Sequence, residues 1–357
     1  MAKKILTYRE KMEIEYVKKI RGQLAELPPY VTDFYRGRET TTTVKTRISY
    51  AYDLKIFFYF LVKSNPSLSG SDIRSVSLKD LERLTLSDFE EYQEYLKVYE
   101  DPETHALVTN DARGISRKLS AVRSLFSYLF RHELLPTDEA AKIEMPKLHE
   151  KNIIRLDPDE VAEILDYMES CGAELTPHKR AYYQKTIIRD LAIITLLLGT
   201  GIRVSECVGL DINDVDFKNG GIHVTRKGGK EMTVYFGDEV EEALSNYLEE
   251  RNQIVPALGH ENALFLSLQK KRIGTDAIED LVKKYTRPVV PTKNITPHKF
   301  RSTYGTNLYR ETGDVYLVAD VLGHSDVNTT KRHYAALEDD RRRSARNKVH
   351  LREKRGE

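Results

Sequence analysis

Tryptophan is absent from this chain of 357 residues, and cysteine is nearly so, with only Cys171 and Cys207. Two isolated cysteines are too few for a disulfide framework or a cysteine-rich zinc site, so the sequence predicts a protein of a reducing compartment. A Gly-x-x-x-x-Gly-Lys-Ser/Thr loop for ATP phosphates is missing as well. We expect no metal and no cofactor.

Long apolar runs are also missing. None reaches the roughly 18 residues that a membrane span needs, and the N-terminal Met-Ala-Lys-Lys-Ile-Leu segment lacks the apolar stretch of a signal peptide. With 40% hydrophobic and 31% charged residues, the composition is that of a folded protein. These features predict a cytoplasmic chain with no membrane partner, and its length predicts about two domains.

Basic and acidic residues are nearly balanced in number, and the net charge is only +1. Basic residues nevertheless cluster within residues 18–21, 113–123, 270–272 and 341–343. Nucleic-acid binding requires a basic face and not a basic total. A single basic run is more often a solvated helix face, so these runs alone identify no partner.

Six polar residues in the second half of the chain each lie in a short sequence motif that predicts an exposed side chain. They are Arg203 in Gly-Thr-Gly-Ile-Arg-Val-Ser-Glu, Lys227 in Arg-Lys-Gly-Gly-Lys, His298 and Arg301 in Thr-Pro-His-Lys-Phe-Arg, His324 in Leu-Gly-His-Ser-Asp, and Tyr334 in His-Tyr. Two arginines can bind a phosphate and stabilise its pentacoordinate transition state. Histidine and lysine can transfer protons, and a tyrosine hydroxyl can attack phosphorus. The set predicts metal-free attack on a phosphodiester.

This string of motifs resembles the tyrosine recombinases, also called phage-integrase-type recombinases. Their motifs are an arginine box, a hairpin lysine, His-x-x-Arg, Leu-Gly-His and a C-terminal tyrosine. Residues 189–230, 247–253 and 296–301 are most similar to the single-protein Xer recombinases of streptococcal type. The resemblance covers most of the chain and is strong from about residue 156.

The resemblance implies an activity and a role for each residue. Tyr334 forms a 3′-phosphotyrosyl bond, Arg203 and Arg301 hold the phosphate, and Lys227 protonates the leaving oxygen. His298 and His324 handle the tyrosine proton and the remaining hydrogen bonds. The implied partners are double-stranded DNA with an inverted-repeat core site and a homotetramer on two such sites. Exchange through a Holliday junction would resolve chromosome dimers, with a mobile-element integrase or a DNA invertase as the alternative.

The resemblance also implies a fold that is mostly α with a small β-sheet (α+β). A helical, SAM-like core-binding domain and a catalytic domain would form a C-shaped clamp around DNA. We expect a helical N-terminal extension over residues 1–37, the core-binding domain over 38–147, and the catalytic domain with its C-terminal tail over 148–357. The residues expected to contact DNA are Arg113, Arg117, Lys118, Arg123 and Lys230.

Apolar spacing predicts three helices in the first half, over residues 43–63, 87–99 and 114–131. Ser87 is the expected N-cap of the second, with Glu90 as its capping-box partner. Leu119, Val122, Phe126 and Leu129 form the apolar stripe of the third, and its basic residues are expected on the opposite, exposed side.

In the second half, residues 190–198 predict a buried helix that Gly199-Thr-Gly201 interrupts, so that Arg203 is delivered into a cleft and braced by Glu206. Two alternating stretches around Gly228-Gly229 predict a β-hairpin with Lys227 at its tip. Thr296 and Pro297 are the expected N-cap and first residue of a helix that carries His298 and Arg301.

Two positions depart from the family pattern. Ser302 stands where many relatives have histidine, and His324 and Tyr334 are ten residues apart where many have nine. His333 beside Tyr334 would form only a labile phosphoramidate, so Tyr334 is preferred as nucleophile. Tyr304, Tyr309 and Tyr316 are competing tyrosines, and Lys230 is the competing lysine.

Three other functions are alternatives. A metal-dependent nuclease could use Asp211, Asp214 and Asp216, although Leu-Asp-Ile-Asn-Asp-Val-Asp is typical of turns and caps. A single-strand swivelling topoisomerase shares the tyrosine chemistry but exchanges no partners. A non-catalytic DNA-binding protein would bind its site without forming a covalent adduct.

Overall fold

The computed structural model describes residues 7–148, 154–226 and 229–323. The chain divides into two compact units, Met1–Lys151 and Asn152–Glu357. The division lies close to the predicted start of the second domain at residue 148. The roles assigned to the three predicted segments stay a prediction, because compactness assigns no role.

The N-terminal unit is helical, with one short antiparallel hairpin in which Tyr99 pairs with Val108. Its elements are α1 (Tyr8–Ala25), α2 (Pro29–Gly37), α3 (Val44–Ser64), α4 (Leu78–Glu82), α5 (Leu86–Tyr95), β1 (Val98–Glu100), β2 (Leu107–Thr109) and α6 (Ala112–Arg131).

An aromatic cluster forms the core of this unit. Phe57 of α3 contacts Phe89 and Tyr92 of α5 and Phe126 of α6, with ring centroids 5.1 to 6.2 Å apart. The first two helices contribute buried residues such as Phe34 to the same core. Residues 8–37 therefore pack as part of this unit and do not form a separate body.

The predicted helix over residues 87–99 was wrong at both ends. The N-cap of α5 is Thr85, whose backbone N–H and hydroxyl donate to the Asp88 carboxylate, so the capping box starts two residues earlier than predicted. An earlier start puts Leu86 inside the helix, packed against the core. The helix ends before Val98, since that residue pairs with Thr109 in the hairpin.

The other two predicted helices of this half were confirmed. Thr43 caps α3, and Asn65 ends it. The predicted stripe Leu119, Val122, Phe126 and Leu129 of α6 is fully buried.

The C-terminal unit is also mostly helical and contains one three-stranded antiparallel sheet in the order β3-β4-β5. Its elements are α7 (Pro158–Ser170), α8 (Pro177–Gln184), α9 (Ile187–Thr200), α10 (Val204–Gly209), β3 (Val215–Asp216), β4 (Gly221–Thr225), β5 (Glu231–Tyr235), α11 (Asp238–Arg251), α12 (Thr275–Thr286), α13 (Pro297–Thr312) and α14 (Val315–Leu322). The predicted fold class, mostly α with small β-sheets, was thus confirmed.

The α9 helix is the centre of this unit, packed against α11 and α13. Its residues Ile193, Ile194, Leu196 and Leu197 are fully buried, as predicted from the continuous apolar run. Gly201 ends the helix in the left-handed region, with φ 61°, where glycine carries no Cβ penalty. The chain then turns directly into α10.

Both cysteines are buried and unpaired. In the described part of the chain, every helix is either too short or too polar to cross a membrane.

Candidate phosphodiester-cleavage site

Arg203 is placed by the turn between α9 and α10. It is the N-cap residue of α10, and its backbone N–H donates to Glu206 Oε2 at 2.9 Å. Its Nη1 donates to Glu206 Oε1 at 2.7 Å, and the Glu206 side chain is 4% exposed against 35% for that of Arg203. A buried carboxylate thus holds a partly exposed guanidinium, which confirms the predicted brace.

Arg301 lies on α13, whose N-cap is Thr296 and whose first residue is Pro297, as predicted. The guanidinium is buried, with Nη1 donating to the Gly201 carbonyl at 2.6 Å and Nη2 donating to the Leu322 carbonyl. His298 lies in the first turn of the same helix and is exposed. Arg301 therefore joins the end of α9 to the end of α14.

The C-terminal end of α14 accepts hydrogen bonds from three arginines. Gly323 ends this helix with φ 61°, so its last carbonyls have no helical N–H partners. Arg203 Nη2 donates to the Gly323 carbonyl at 3.5 Å, Arg226 Nη2 donates to the Val321 carbonyl at 2.6 Å, and Arg226 Nη1 joins Arg301 Nη2 on the Leu322 carbonyl. The partial negative charge of a helix C-terminus favours such cations.

Arg226 was not among the residues selected from the sequence. It follows β4, which pairs with β5 from Gly221 opposite Tyr235 to Thr225 opposite Glu231. Its N–H donates to the Lys230 carbonyl at 2.7 Å, which closes the hairpin loop. The predicted hairpin was confirmed, but a basic residue beside Lys227 is indistinguishable by type from a solvated edge residue, so no local signal marked Arg226.

Three of the predicted catalytic residues, Lys227, His324 and Tyr334, lie outside the described residues. Their chain neighbours do not: Arg226 precedes Lys227, and Gly323 precedes His324. Ser302, at the position where many relatives carry histidine, donates from Oγ to the His298 carbonyl at 3.2 Å. The serine thus contacts the backbone of its own helix.

The competing tyrosines differ in their surroundings. Tyr304 packs its ring beside Gly201, and burial raises the pKa of its hydroxyl. Tyr309 is buried, and Tyr316 is exposed. A buried phenol that ionises less readily is a poor nucleophile.

The aspartates of the nuclease alternative stabilise local structure. Asp214 accepts from the Asp211 N–H at 2.7 Å, Asp211 pairs with Arg272, and Asp216 accepts from the Asn219 side chain at 2.5 Å. The interpretation of this stretch as turn and capping residues was confirmed. Among the described residues, no cluster of three or more histidines, cysteines or carboxylates is suited to a metal ion.

Most residues expected to contact DNA are accessible. Arg113, Arg117 and Lys230 are exposed, and Arg123 is partly exposed. Arg117 pairs with Asp53, a fully buried carboxylate, and Arg123 Nη2 donates to the Ala141 carbonyl at 3.3 Å. These arginines keep part of their surface open.

Lys118 does not lie on the exposed side of α6, so that expectation was wrong. It is 4% exposed, its Nζ donates to Asn110 Oδ1 at 2.8 Å, and it lies over the Tyr99 ring. Burial lowers the pKa of this ammonium. The β1–β2 hairpin covers it, which periodicity along α6 alone could not indicate.

Comparison with known proteins identifies the class. The family model described as the phage integrase family matches residues 154–341. The tyrosine recombinase XerS of Streptococcus thermophilus is 32% identical over 352 residues, which cover 93% of this chain and 98% of that protein.

Solved structures share the fold. The Tn1549 transposon integrase in complex with transposon right end DNA has a TM-score of 0.63 and 20% identity, covering 89% of this chain and 98% of that one. The XerH site-specific recombinase bound to palindromic difH substrate has a TM-score of 0.60 and 20% identity, covering 86% and 82%.

The chain belongs to the phage integrase family, the tyrosine recombinases. Within that family it is a Xer-like site-specific DNA recombinase, which confirms the resemblance read from its motifs.

Proposed function

We propose that Tyr334 attacks a phosphodiester of duplex DNA and forms a 3′-phosphotyrosyl bond while the bond from phosphorus to the 5′ oxygen breaks. Lys227 gives a proton to that 5′ oxygen. His298 and His324 accept the phenol proton and form the remaining hydrogen bonds to the phosphate. The released 5′-hydroxyl then attacks the phosphotyrosine of a partner duplex, which restores the tyrosine and yields a Holliday junction. No ATP is needed, because the covalent bond conserves the energy of the phosphodiester.

One observation supports this proposal above the others. The guanidinium groups of Arg203 and Arg301 meet at the carbonyls of Leu322 and Gly323, immediately before His324 in the chain. Arg226, immediately before Lys227, donates to the same end of α14. Two residues of the predicted catalytic set, Arg203 and Arg301, thus meet at one helix end, and the residues that precede Lys227 and His324 in the chain contact the same end.

The arginine geometry suits a phosphate. A planar guanidinium can direct two N–H groups onto the oxygens of one phosphate. Arg203 keeps 35% of its side chain exposed, and Glu206 fixes its opposite side. Two preorganised cations would then stabilise the charge that gathers on the non-bridging oxygens in the transition state.

The Tyr334→Phe variant tests the chemistry, since it removes only the attacking oxygen. We expect site binding within about twofold of the wild type and no denaturant-resistant adduct with DNA. Tyr316→Phe, at an exposed tyrosine of α14, is the control and should retain the adduct. An adduct that survives in Tyr334→Phe and disappears in His333→Ala or Tyr304→Phe would contradict the assignment.

The assembly and the DNA surface are part of the same proposal. The recombinase would act in the cytoplasm as a homotetramer on two duplexes, each with inverted half-sites. Arg113, Arg117, Arg123 and Lys230 would contact phosphates, because they are the accessible members of the predicted DNA-binding set. The XerH structure contains a palindromic substrate, which is consistent with inverted half-sites here.

The proposed cellular role is resolution of chromosome dimers, supported by 32% identity to XerS over nearly the whole of both chains. Sequencing of genomic DNA trapped covalently in the source organism tests this role. We expect one dominant chromosomal locus with inverted half-sites of about one helical turn each. Adducts at the ends of an insertion would favour a mobile-element integrase, and adducts at inverted repeats around a promoter would favour an invertase. Plasmid relaxation without strand exchange would instead indicate a topoisomerase.

A further inference from the structure

Arg226 forms a contact that the proposed chemistry does not use. The residue is 6% exposed, and both Nη atoms donate to main-chain carbonyls of α14. Arg301 is enclosed in the same way, whereas Arg203 keeps an open side. Arg226 differs from both in its place in the β4–β5 loop, where its own backbone closes the turn.

The contact bridges two catalytic segments. Arg226 lies at the base of the β4–β5 loop, where its N–H donates to the Lys230 carbonyl and its carbonyl accepts from the Gly229 N–H at 3.0 Å. Its guanidinium donates to the main-chain carbonyls of Val321 and Leu322, the last two residues of α14. One residue thus ties the loop that carries Lys227 to the helix end that precedes His324.

We propose that Arg226 is a positioning residue that fixes the Lys227 hairpin loop against the end of α14, so that the general acid meets the leaving 5′ oxygen. The inference rests on the proposed role of Lys227. Without this anchor, a five-residue loop between Thr225 and Glu231 would place the lysine ammonium over a wider range of positions. General-acid catalysis is sensitive to such displacement, because proton transfer requires hydrogen-bond distance.

The chemistry of the contact requires an arginine. Two carbonyls are bound by two nitrogens of one planar guanidinium, which a single ammonium cannot reproduce. Gly323 belongs to the same contact, since a Cβ built on it would overlap Arg226 Nη1. The glycine therefore leaves room for the guanidinium as well as satisfying its positive φ.

The test compares two substrates in Arg226→Lys. Both are nicked duplexes carrying the site recovered by adduct mapping, one with an ordinary scissile phosphate and one with a 5′-bridging phosphorothiolate. The sulfur leaving group needs no proton, so it bypasses the general acid. We expect adduct formation on the ordinary substrate to fall about 10- to 100-fold, with half-site affinity within about twofold of the wild type. On the phosphorothiolate, the rate should return to within about threefold of the wild-type rate.

Matched variants control for stability and for the lysine itself. Arg251→Lys alters another buried guanidinium that donates to two carbonyls, those of Ala263 and Glu261, and should leave both rates unchanged. Lys227→Ala should show the same rescue as Arg226→Lys, and Lys230→Ala should not. Thermal unfolding of the two Arg→Lys variants shows whether each remains folded at the assay temperature.

Equal loss on both substrates in a folded Arg226→Lys protein would overturn the inference, because it would place Arg226 with the phosphate or the nucleophile. Unchanged rates on both would also overturn it. If the wild type forms no adduct at all, the proposed function fails instead.

Discussion

The arginines of this site show how one side-chain type serves different purposes according to burial and partner. Arg203 binds a buried carboxylate and stays partly open, whereas Arg226 is enclosed and binds only carbonyls. Burial lowers the pKa of Arg226, but a guanidinium still keeps its proton at neutral pH. Arg301 is as buried as Arg226 and also binds two carbonyls, so exposure distinguishes Arg203 from Arg226 but does not distinguish Arg301 from it.

Asp53 in the N-terminal unit is a buried carboxyl whose protonation affects stability. Burial raises its pKa to about 6 from 3.8, against the opposing effect of Arg117. Between these two pH values the folded chain retains a proton that the unfolded chain releases. The free energy of unfolding contributed by this group therefore falls as the pH rises through that window and stays lower above it.

The Asp53→Asn variant should lose this dependence. We expect the free energy of unfolding of the variant, relative to the wild type, to rise by on the order of 2 kcal/mol between about pH 4 and pH 6.5. Urea unfolding followed by circular dichroism at several pH values measures it, with Asp33→Asn, at an exposed carboxyl, as the control. A difference that is constant or falls with pH would show that the ion pair with Arg117 outweighs burial.

Helix ends, more than helix interiors, build the candidate site. Gly201 and Gly323 both adopt φ 61° and release the carbonyls that the arginines bind. At Gly201 a Cβ would lie 2.5 Å from Tyr304 Cδ1 and 3.1 Å from Leu322 Cδ2. Substitution there acts on both the backbone angle and the packing between α9, α13 and α14.

Gly201→Ala should therefore destabilise the chain by about 1–3 kcal/mol and lower adduct formation about tenfold or more. Gly209→Ala is the matched control, because a Cβ there meets nothing within 4 Å and φ is not positive. The control should change stability by no more than about 0.5 kcal/mol. Chemical denaturation and adduct formation on the recovered site measure both effects. Equal behaviour of the two variants would show that the αL cap at Gly201 does not position Arg203 and Arg301.

For the whole chain, the distribution of charge matters more than its net value of +1. The C-terminal segment contains Arg341-Arg342-Arg343 and lies outside the described residues. In the proposed homotetramer this tail would dock on a neighbouring protomer. A basic tail could instead bind DNA phosphates directly.

Deletion of residues 341–357 should separate these two roles. We expect cooperative binding of two protomers and strand exchange to fall, while binding of one protomer to a half-site stays within about twofold. Gel-shift titration on half-sites and full sites measures the difference. Equal loss on a half-site, together with a shallower dependence on salt, would identify the tail as a phosphate contact.

The sequence alone determined much of the fold and of the candidate site because the relevant signals are local. The apolar run of α9, the glycine that ends it, and the Thr296-Pro297 start of α13 each act within a turn or two of the chain. The motif string was sufficient to recognise the family. At α5, Ser87 was the predicted N-cap, whereas the structure caps the helix with Thr85 and packs Leu86 against the core.

The tertiary structure alone decided which cations face solvent and which hold the site together. Lys118 is covered by a hairpin that precedes it in the chain, and Arg226 meets carbonyls 95 and 96 residues away. Neither contact can be predicted from sequence periodicity or from a local motif, because each depends on the position of an element that is distant in the chain. Local interactions therefore specified the elements and their caps, while the partners of buried charges followed from how those elements pack.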